Sequence, residues 1–324
     1  MRTPIVGLHH VTAIASDPQR NLDFYTQVLG LRFVKKTVNF DDPETYHFYF
    51  GDDTGTPGTI LTFFPWPGTP QGRRGAGETI ATAFSIPVGS LPYWRKRLVS
   101  KGVATEENVY FGGAHLSFSD PDGMVLELVE HTEAQAVAAP RYSDVPAQYA
   151  IQGFFGTTLL ELSLMRTESL LSMMGYRKLG EEGDRFRYAP DGDARGRILD
   201  IVVDKDAQQG RMGAGTVHHI AFRASDDASQ LDWKQELGRN VSVTPVQDRT
   251  YFHSIYFREP GGVLFEIATD SPGFLIDEPI ESLGEALRIP EWFEPQRKLI
   301  ESRVQPITLH KAEKAVANES EATL

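Results

Sequence analysis

His9-His10-Val11-Thr12-Ala13-Ile14-Ala15-Ser16-Asp17 returns later in the chain as His218-His219-Ile220-Ala221-Phe222-Arg223-Ala224-Ser225-Asp226. The His-His pair and the Ala-Ser-Asp ending are both kept. The displacement, 209 positions, also carries Leu22-Asp23 onto Leu231-Asp232. A second echo joins Asp120-Pro121-Asp122-Gly123-Met124-Val125-Leu126-Glu127 to Glu259-Pro260-Gly261-Gly262-Val263-Leu264-Phe265-Glu266, and both read as a turn feeding a strand. Internal repeats of this kind decide the fold before any single motif does.

The echoes divide the chain into four units: Ile5 to Trp66, Gly77 to His131, Tyr149 to Asp204 and Gly215 to Asp270. Each unit opens with a strand rich in β-branched residues, continues through a helix capped by residues such as Ser16 and Asp17, and ends in three shorter strands. In the first unit the short strands are expected near Arg32 to Phe40, Tyr46 to Gly51 and Thr59 to Phe64. In the fourth they are expected near Val241 to Val246, His253 to Arg258 and Val263 to Ala268. The unit is βαβββ, and the class is α+β. Taken in order, residues 1–140 and 141–275 hold one pair of modules each. Residues 276–324 form a C-terminal extension, with a helix expected around Pro290 to Arg303 and a frayed polar end from Lys311 to Leu324. Thr132 to Pro146, rich in Ala, Pro and polar residues, reads as the linker between halves. Arg73 and Arg74, in the Gly/Pro loop Pro65 to Gly77, are assigned no role.

Composition limits the chemistry. The 324 residues are 40% hydrophobic and 23% charged, ordinary for a globular protein, and include no cysteine. Disulfides, thiolate metal sites and a cysteine nucleophile are thereby excluded, so a metal would need nitrogen and oxygen ligands. A net charge of -12, with Lys and Arg scattered, argues against a nucleic-acid partner. No basic leader precedes an apolar run and no stretch approaches membrane-spanning length, so a cytoplasmic location without a membrane partner is expected. A homo-oligomer is left open.

Four of the nine histidines fall in the two repeated pairs. Neighbours in a strand point to opposite faces, so one histidine of each pair is expected in a shared cavity. His9 alternates with Val11 and Ala13, and His218 with Ile220 and Phe222, the apolar sets expected to face a covering helix. His10 and His219 alternate with smaller or more polar residues and are the expected ligands. Glu266, inside the run Val263-Leu264-Phe265-Glu266-Ile267-Ala268, needs a cation to offset desolvation. A metal shared with His219 is the expected partner, whereas Glu127 in the second unit reads as a salt bridge to an arginine. Two imidazoles and one carboxylate leave coordination positions open, as non-haem Fe(II) enzymes that handle O2 require. Thr59 to Phe64, where the repeat would put a fourth ligand, contains none, and one metal per chain is expected.

These residues, with Phe33-Val34-Lys35-Lys36-Thr37, Tyr46-His47-Phe48-Tyr49-Phe50, Gly55-Thr56-Pro57-Gly58-Thr59 and Tyr251-Phe252-His253-Ser254-Ile255-Tyr256, resemble the ring-cleaving hydroquinone dioxygenases of the vicinal oxygen chelate superfamily. The resemblance spans nearly the whole chain. It implies two open β-barrels of paired modules, and Fe(II), or Mn(II) in its place, held by His10, His219 and Glu266. It further implies His9, Thr12, His218, Arg249 and Tyr256 around the metal, with a hydroquinone-type aromatic and O2 as substrates. Two other readings stand beside it. One is a metal-dependent isomerase or lyase of the glyoxalase type, which usually wants the missing fourth ligand. The other is a metal-free protein that binds an aromatic compound or drug.

Overall fold

The computed structural model describes residues 3–132 and 139–310. Four βαβββ modules follow one another along it. The first consists of β1 (Leu8–Ala15), α1 (Pro18–Asp23, continuing as a π turn over Phe24–Val28), β2 (Arg32–Asn39), β3 (Asp42–Gly51) and β4 (Ile60–Pro65). The second consists of β5 (Glu78–Ile86), α2 (Leu91–Ser100), β6 (Thr105–Tyr110), β7 (Gly113–Ser119) and β8 (Val125–Glu130). The third consists of β9 (Phe154–Glu161), α3 (Met165–Met173), β10 (Arg177–Glu182), β11 (Arg185–Ala189) and β12 (Ile198–Val203). The fourth consists of β13 (Val217–Ala224), α4 (Asp227–Leu237), β14 (Gln247–Asp248), β15 (Phe252–Arg258) and β16 (Leu264–Pro272). The repeated Asp caps both of its helices: Asp17 Oδ1 accepts from the Arg20 N–H and Asp226 Oδ1 from the Ser229 N–H.

Two eight-stranded curled sheets result, and they do not follow the order of the modules. One runs β14-β15-β16-β13-β1-β4-β3-β2 and the other β10-β11-β12-β9-β5-β8-β7-β6. The first module therefore shares a sheet with the fourth, and the second with the third. Neither sheet belongs to one half of the chain, so a division into residues 1–140 and 141–275 separates modules by order and cuts through both sheets. The reason lies in the opening strands: β1 pairs antiparallel with β13, and β5 with β9. One hydrophobic core runs beneath both sheets, and the fully buried Phe48, Phe63, Phe84, Trp94, Phe222 and Phe265 all belong to it.

Two local expectations fail at prolines. Val241 to Val246 is not a strand; only Val243 forms a bridge there, to Phe257, and β14 begins at Gln247. Pro245 cannot donate to a ladder. The expected helix from Pro290 to Arg303 starts as 3-10 turns over Glu291–Gln296, with Pro295 inside, and becomes α-helical only over Arg297–Arg303, where Ile300 is buried. Residues 311–324 lie outside the described residues, as do 133–138 of the expected linker. The rest of that linker is tied to the first module, Arg141 donating from its backbone N–H to Asp53 and Val145 entering the core.

The sheets also meet through a carboxyl pair. Glu161 closes β9 beside Glu259 in the turn before β16, and Glu259 accepts from the Thr167 hydroxyl of α3. Burial, then the charge of Glu259 and a hydrogen bond to it, push Glu161 up to about 8. An acid raised on folding gives stability that is full below its unfolded value, 4.5, and is lost as pH rises through about 8. Over that window Glu161→Gln should flatten the pH dependence of the denaturation midpoint. A variant with the wild-type slope would show that the two carboxyls share no proton.

Candidate metal centre

The pairing of β1 with β13 brings the two His-His sequences together. Thr12 stands opposite His219 and His10 opposite Ala221, while Ala221 in turn pairs with Glu266 of β16. His10 Nε2 lies 3.3 Å from His219 Nε2 and 3.3 Å from Glu266 Oε2, and His219 Nε2 lies 2.9 Å from the same oxygen. All three side chains are buried. Donors bound at about 2.1 Å and at right angles to each other would stand about 3.0 Å apart. The three observed separations match the edges of one such octahedral face.

The donor chemistry fits a cation as well. Glu266 Oε1 accepts from the Ser254 hydroxyl, but Oε2 has no hydrogen bond beyond the two imidazoles it faces. Burial alone would raise this carboxyl; His10 and His219, by charge and hydrogen bonding, hold it well below the usual range. Burial lowers His219, against the pull of Glu266. An ionised carboxylate is the donor a divalent ion requires, and such an ion would take the place of the positive charge that the imidazoles otherwise supply.

Strict alternation fails at the other member of each pair. Leu8 and Val11 both enter the core, as do Val217 and Ile220, because the β1–β13 register slips at His9 and at His218. These bulges correct the expectation that His9 and His218 face a covering helix: both stay beside their neighbours. His9 Nδ1 is 2.9 Å from His10 Nδ1, and His218 Nδ1 is 2.8 Å from His219 Nδ1. If the Nε2 atoms of His10 and His219 face a cation, their Nδ1 atoms carry protons and donate to His9 and His218, each of which then holds its own proton on Nε2. The two partners differ from there. His9 hydrogen-bonds the backbone of Thr269, and burial, then the charge on His10, keep it well below 6.5. His218 has no further hydrogen bond and lines the cavity; burial and the charge on His219 lower it to about 3.

That cavity, about 470 Å³, opens over the triad. Tyr256 and Arg249 form one wall, with Arg249 Nε donating to the Tyr256 hydroxyl at 3.2 Å and Arg249 Nη2 paired at 3.2 Å with Asp41 of the facing module. Burial, then the charge of Glu266, raise the Tyr256 phenol, which stays protonated. Phe40, Phe64, Trp66 and Phe252 supply apolar wall. Thr12 lies beneath, accepting from Thr62 at 2.8 Å. Thr62, opposite Thr12 on β4, stands in the segment where a fourth ligand was sought. His47 and Tyr49 were missed by the sequence reading. Tyr49 donates to His47 Nδ1 and His47 Nε2 meets Thr62 Oγ1, both at 2.9 Å. Alternation along Tyr46-His47-Phe48-Tyr49, with Tyr46 and Phe48 in the core, was the signal for them. His253 turns away, to Asp227.

The second sheet carries the same positions without the same residues. Gly156 pairs with Ala83, and Ala83 with Glu127, repeating the His10, Ala221, Glu266 register; Ala81 opposite Thr158 repeats His219 opposite Thr12. Glycine and alanine thus replace both imidazoles. A Cβ at Gly156 would come within 2.0 Å of the Ile198 carbonyl oxygen, so no side chain fits there. Glu127 meets His115 Nδ1 at 2.7 Å rather than the arginine expected, and Asp200 accepts a two-pronged bond from Arg187.

Residues 7–128 match the family model described as Glyoxalase/Bleomycin resistance protein/Dioxygenase superfamily. Bacillus subtilis MhqO, provisionally named a ring-cleaving dioxygenase, is 48% identical over 94% of this chain and 98% of its own length. The chain belongs to this superfamily. Among its other members, the chlorohydroquinone/hydroquinone 1,2-dioxygenase of Sphingobium indicum is 34% identical over 94% of this chain and 98% of its own. A crystal structure of a dioxygenase-titled protein from B. subtilis superposes with a TM-score of 0.91 at 47% identity, covering 95% of this chain and 99% of that one. Maize glyoxalase I, at 14% identity and a TM-score of 0.60 over 82% of this chain and 92% of that one, shares the superfamily's fold. The full-length matches make the protein an oxygenase-type enzyme of the superfamily.

Glu266→Gln should weaken divalent-metal binding by about 100-fold or more, since it removes an anionic donor at the centre of the cluster. Metal titration of the two proteins reads this directly. Since an imidazole must be unprotonated to bind a metal, the metal affinity of wild type should fall as pH is lowered, as metal titration at a series of pH values would show. An affinity independent of pH would show that no imidazole takes part.

Proposed function

We propose that the protein is an Fe(II)-dependent ring-cleaving dioxygenase acting on a hydroquinone-type aromatic, with His10, His219 and Glu266 as ligands. The convergence of two Nε2 atoms and one carboxylate oxygen into a single face, below an aromatic-walled cavity, carries the reading. A relative named for hydroquinone cleavage over nearly its full length supports the substrate class. Fe(II), or Mn(II) in its place, would bring a phenolic oxygen and O2 into adjacent positions and act as a Lewis acid.

The protein's own groups do the rest. Phe64, Trp66, Phe252 and Phe40 hold the ring and keep water out. Tyr256, protonated and aligned by Arg249, donates to the ionised ring oxygen, and the guanidinium offsets its charge. His218 offers an N–H from Nε2 into the cavity, where it is placed to hydrogen-bond oxygen and stabilise the negative charge that develops there as the ring opens. His9, closed off by His10 and the Thr269 backbone, orients His10. Thr12 is held by Thr62 and thereby by His47. Both oxygen atoms enter the organic product, so no external reductant is needed. Thr62 offers only a hydroxyl already engaged with Thr12 and His47, which weighs against a four-ligand isomerase.

The experiment is anaerobic loading with Fe(II), then oxygen-electrode assay against a panel of hydroquinones and catechols, where hydroquinones should drive stoichiometric O2 uptake. His218→Asn, with iron content kept, should lower kcat by about 100-fold while leaving KM for the aromatic nearly unchanged. Wild-type iron content without any O2 uptake would sink the proposal.

A further inference from the structure

A second cavity approaches the triad from behind. It has a volume of about 210 Å³ and reaches His9 between the loop around Thr56 and the segment after β16. Phe252 lines both this cavity and the larger one. Its ring centroid lies 5.1 Å from that of His9 and 5.0 Å from that of His10, so this buried phenyl ring stands beside His9 between the rear space and the cluster.

The polar side chains in the wall of the rear cavity are engaged with partners inside the protein. Asp270 is held in a two-pronged bond by Arg223, the Thr54 and Thr56 hydroxyls bond each other, Tyr251 donates to Asp277, and His9 is engaged with His10 and Thr269. What remains is Pro57, Ile60, Phe252, Phe274 and Leu275. An ion or a polyhydroxylated ring would lose its hydration there without replacement, whereas a small apolar molecule would not. An aromatic substrate seated in the front cavity would close the direct approach to the open metal positions.

We propose that the rear cavity is the entry route for dioxygen, with Phe252 as the movable partition, which lets O2 reach the centre after the aromatic is bound. This rests on the dioxygenase reading above. Side-chain motion of a phenyl ring suffices to pass a diatomic molecule, and such motions are fast compared with turnover.

Leu275, half exposed at the mouth of the rear cavity, has no part in the catalytic cavity and is the place to plug it. Crystals of metal-free wild type under xenon pressure should show xenon between Leu275 and Phe252, and Leu275→Trp should exclude it. In the iron-loaded enzyme, Leu275→Trp should raise KM for O2 severalfold, with iron content and KM for the hydroquinone unchanged; Leu275→Ala should not raise it. No xenon in the wild-type cavity, or a wild-type KM for O2 in Leu275→Trp, overturns the route alone. Iron-loaded wild type that consumes no O2 overturns the dioxygenase reading and the route with it.

Discussion

The antiparallel contact of β1 with β13 governs this molecule. It places residues from opposite ends of the chain in register, fuses the first and fourth modules into one sheet, and fixes Glu266 behind Ala221 by continuing into β16. A bulge on each side of the contact keeps a second imidazole within hydrogen-bond reach of each inward one. Without those bulges, His9 and His218 would sit in the hydrocarbon core, where an imidazole is poorly solvated. The core leaves these rings little freedom, with Leu8, Val11, Val217 and Ile220 fully or nearly buried on the far side.

Much of this was legible in the sequence because repetition is insensitive to local detail. The paired His-His sequences required the first and last modules to meet, and the turn preceding Glu127 and Glu266 located the closing strand of each unit. Alternation pointed to His10 and His219, and the cost of burying an unpaired carboxylate pointed to Glu266; the structure brings their donor atoms together. The assumption of an unbroken pleat did not hold for His9 and His218, since a bulge is set by pairing across the sheet and leaves no mark in one strand's sequence. The sharing of sheets between the halves was harder to see: module order suggests neighbours, whereas pairing of opening strands decides partners. Pro245 and Pro295 were visible and should have shortened the elements assigned around them. His47 lay within reach of the same alternation, but its role as a support for Thr62 depends on β3 and β4 being adjacent.

The second sheet shows how a duplicated architecture can keep its shape without a metal. At the equivalent positions, backbone closeness at Gly156 excludes a side chain, while Glu127 is hydrogen-bonded to His115 and Asp200 is paired with Arg187. The Arg187–Asp200 pair supplies its own cation, and removing one member of a buried pair is more harmful than removing both. Glu127 keeps the place of Glu266, whereas Asp200 stands where the first sheet has Thr62, so one acid is common to both sheets.

The order in which modules pair has a further consequence during synthesis. Their arrangement is nested like brackets: modules two and three are neighbours in the chain and can close on each other early, while module one must wait for module four to leave the ribosome. Until then the edge of β1 is unpaired, with two histidines beside it, and open to illegitimate strand addition. The two sheets are joined where the Leu8 and Phe154 N–H groups donate to the Gly196 and Gly58 carbonyls. The sheet that carries the triad thus joins the modules most distant in sequence, so a truncation that removes β13 or β16 removes His219 or Glu266 from the candidate cation site.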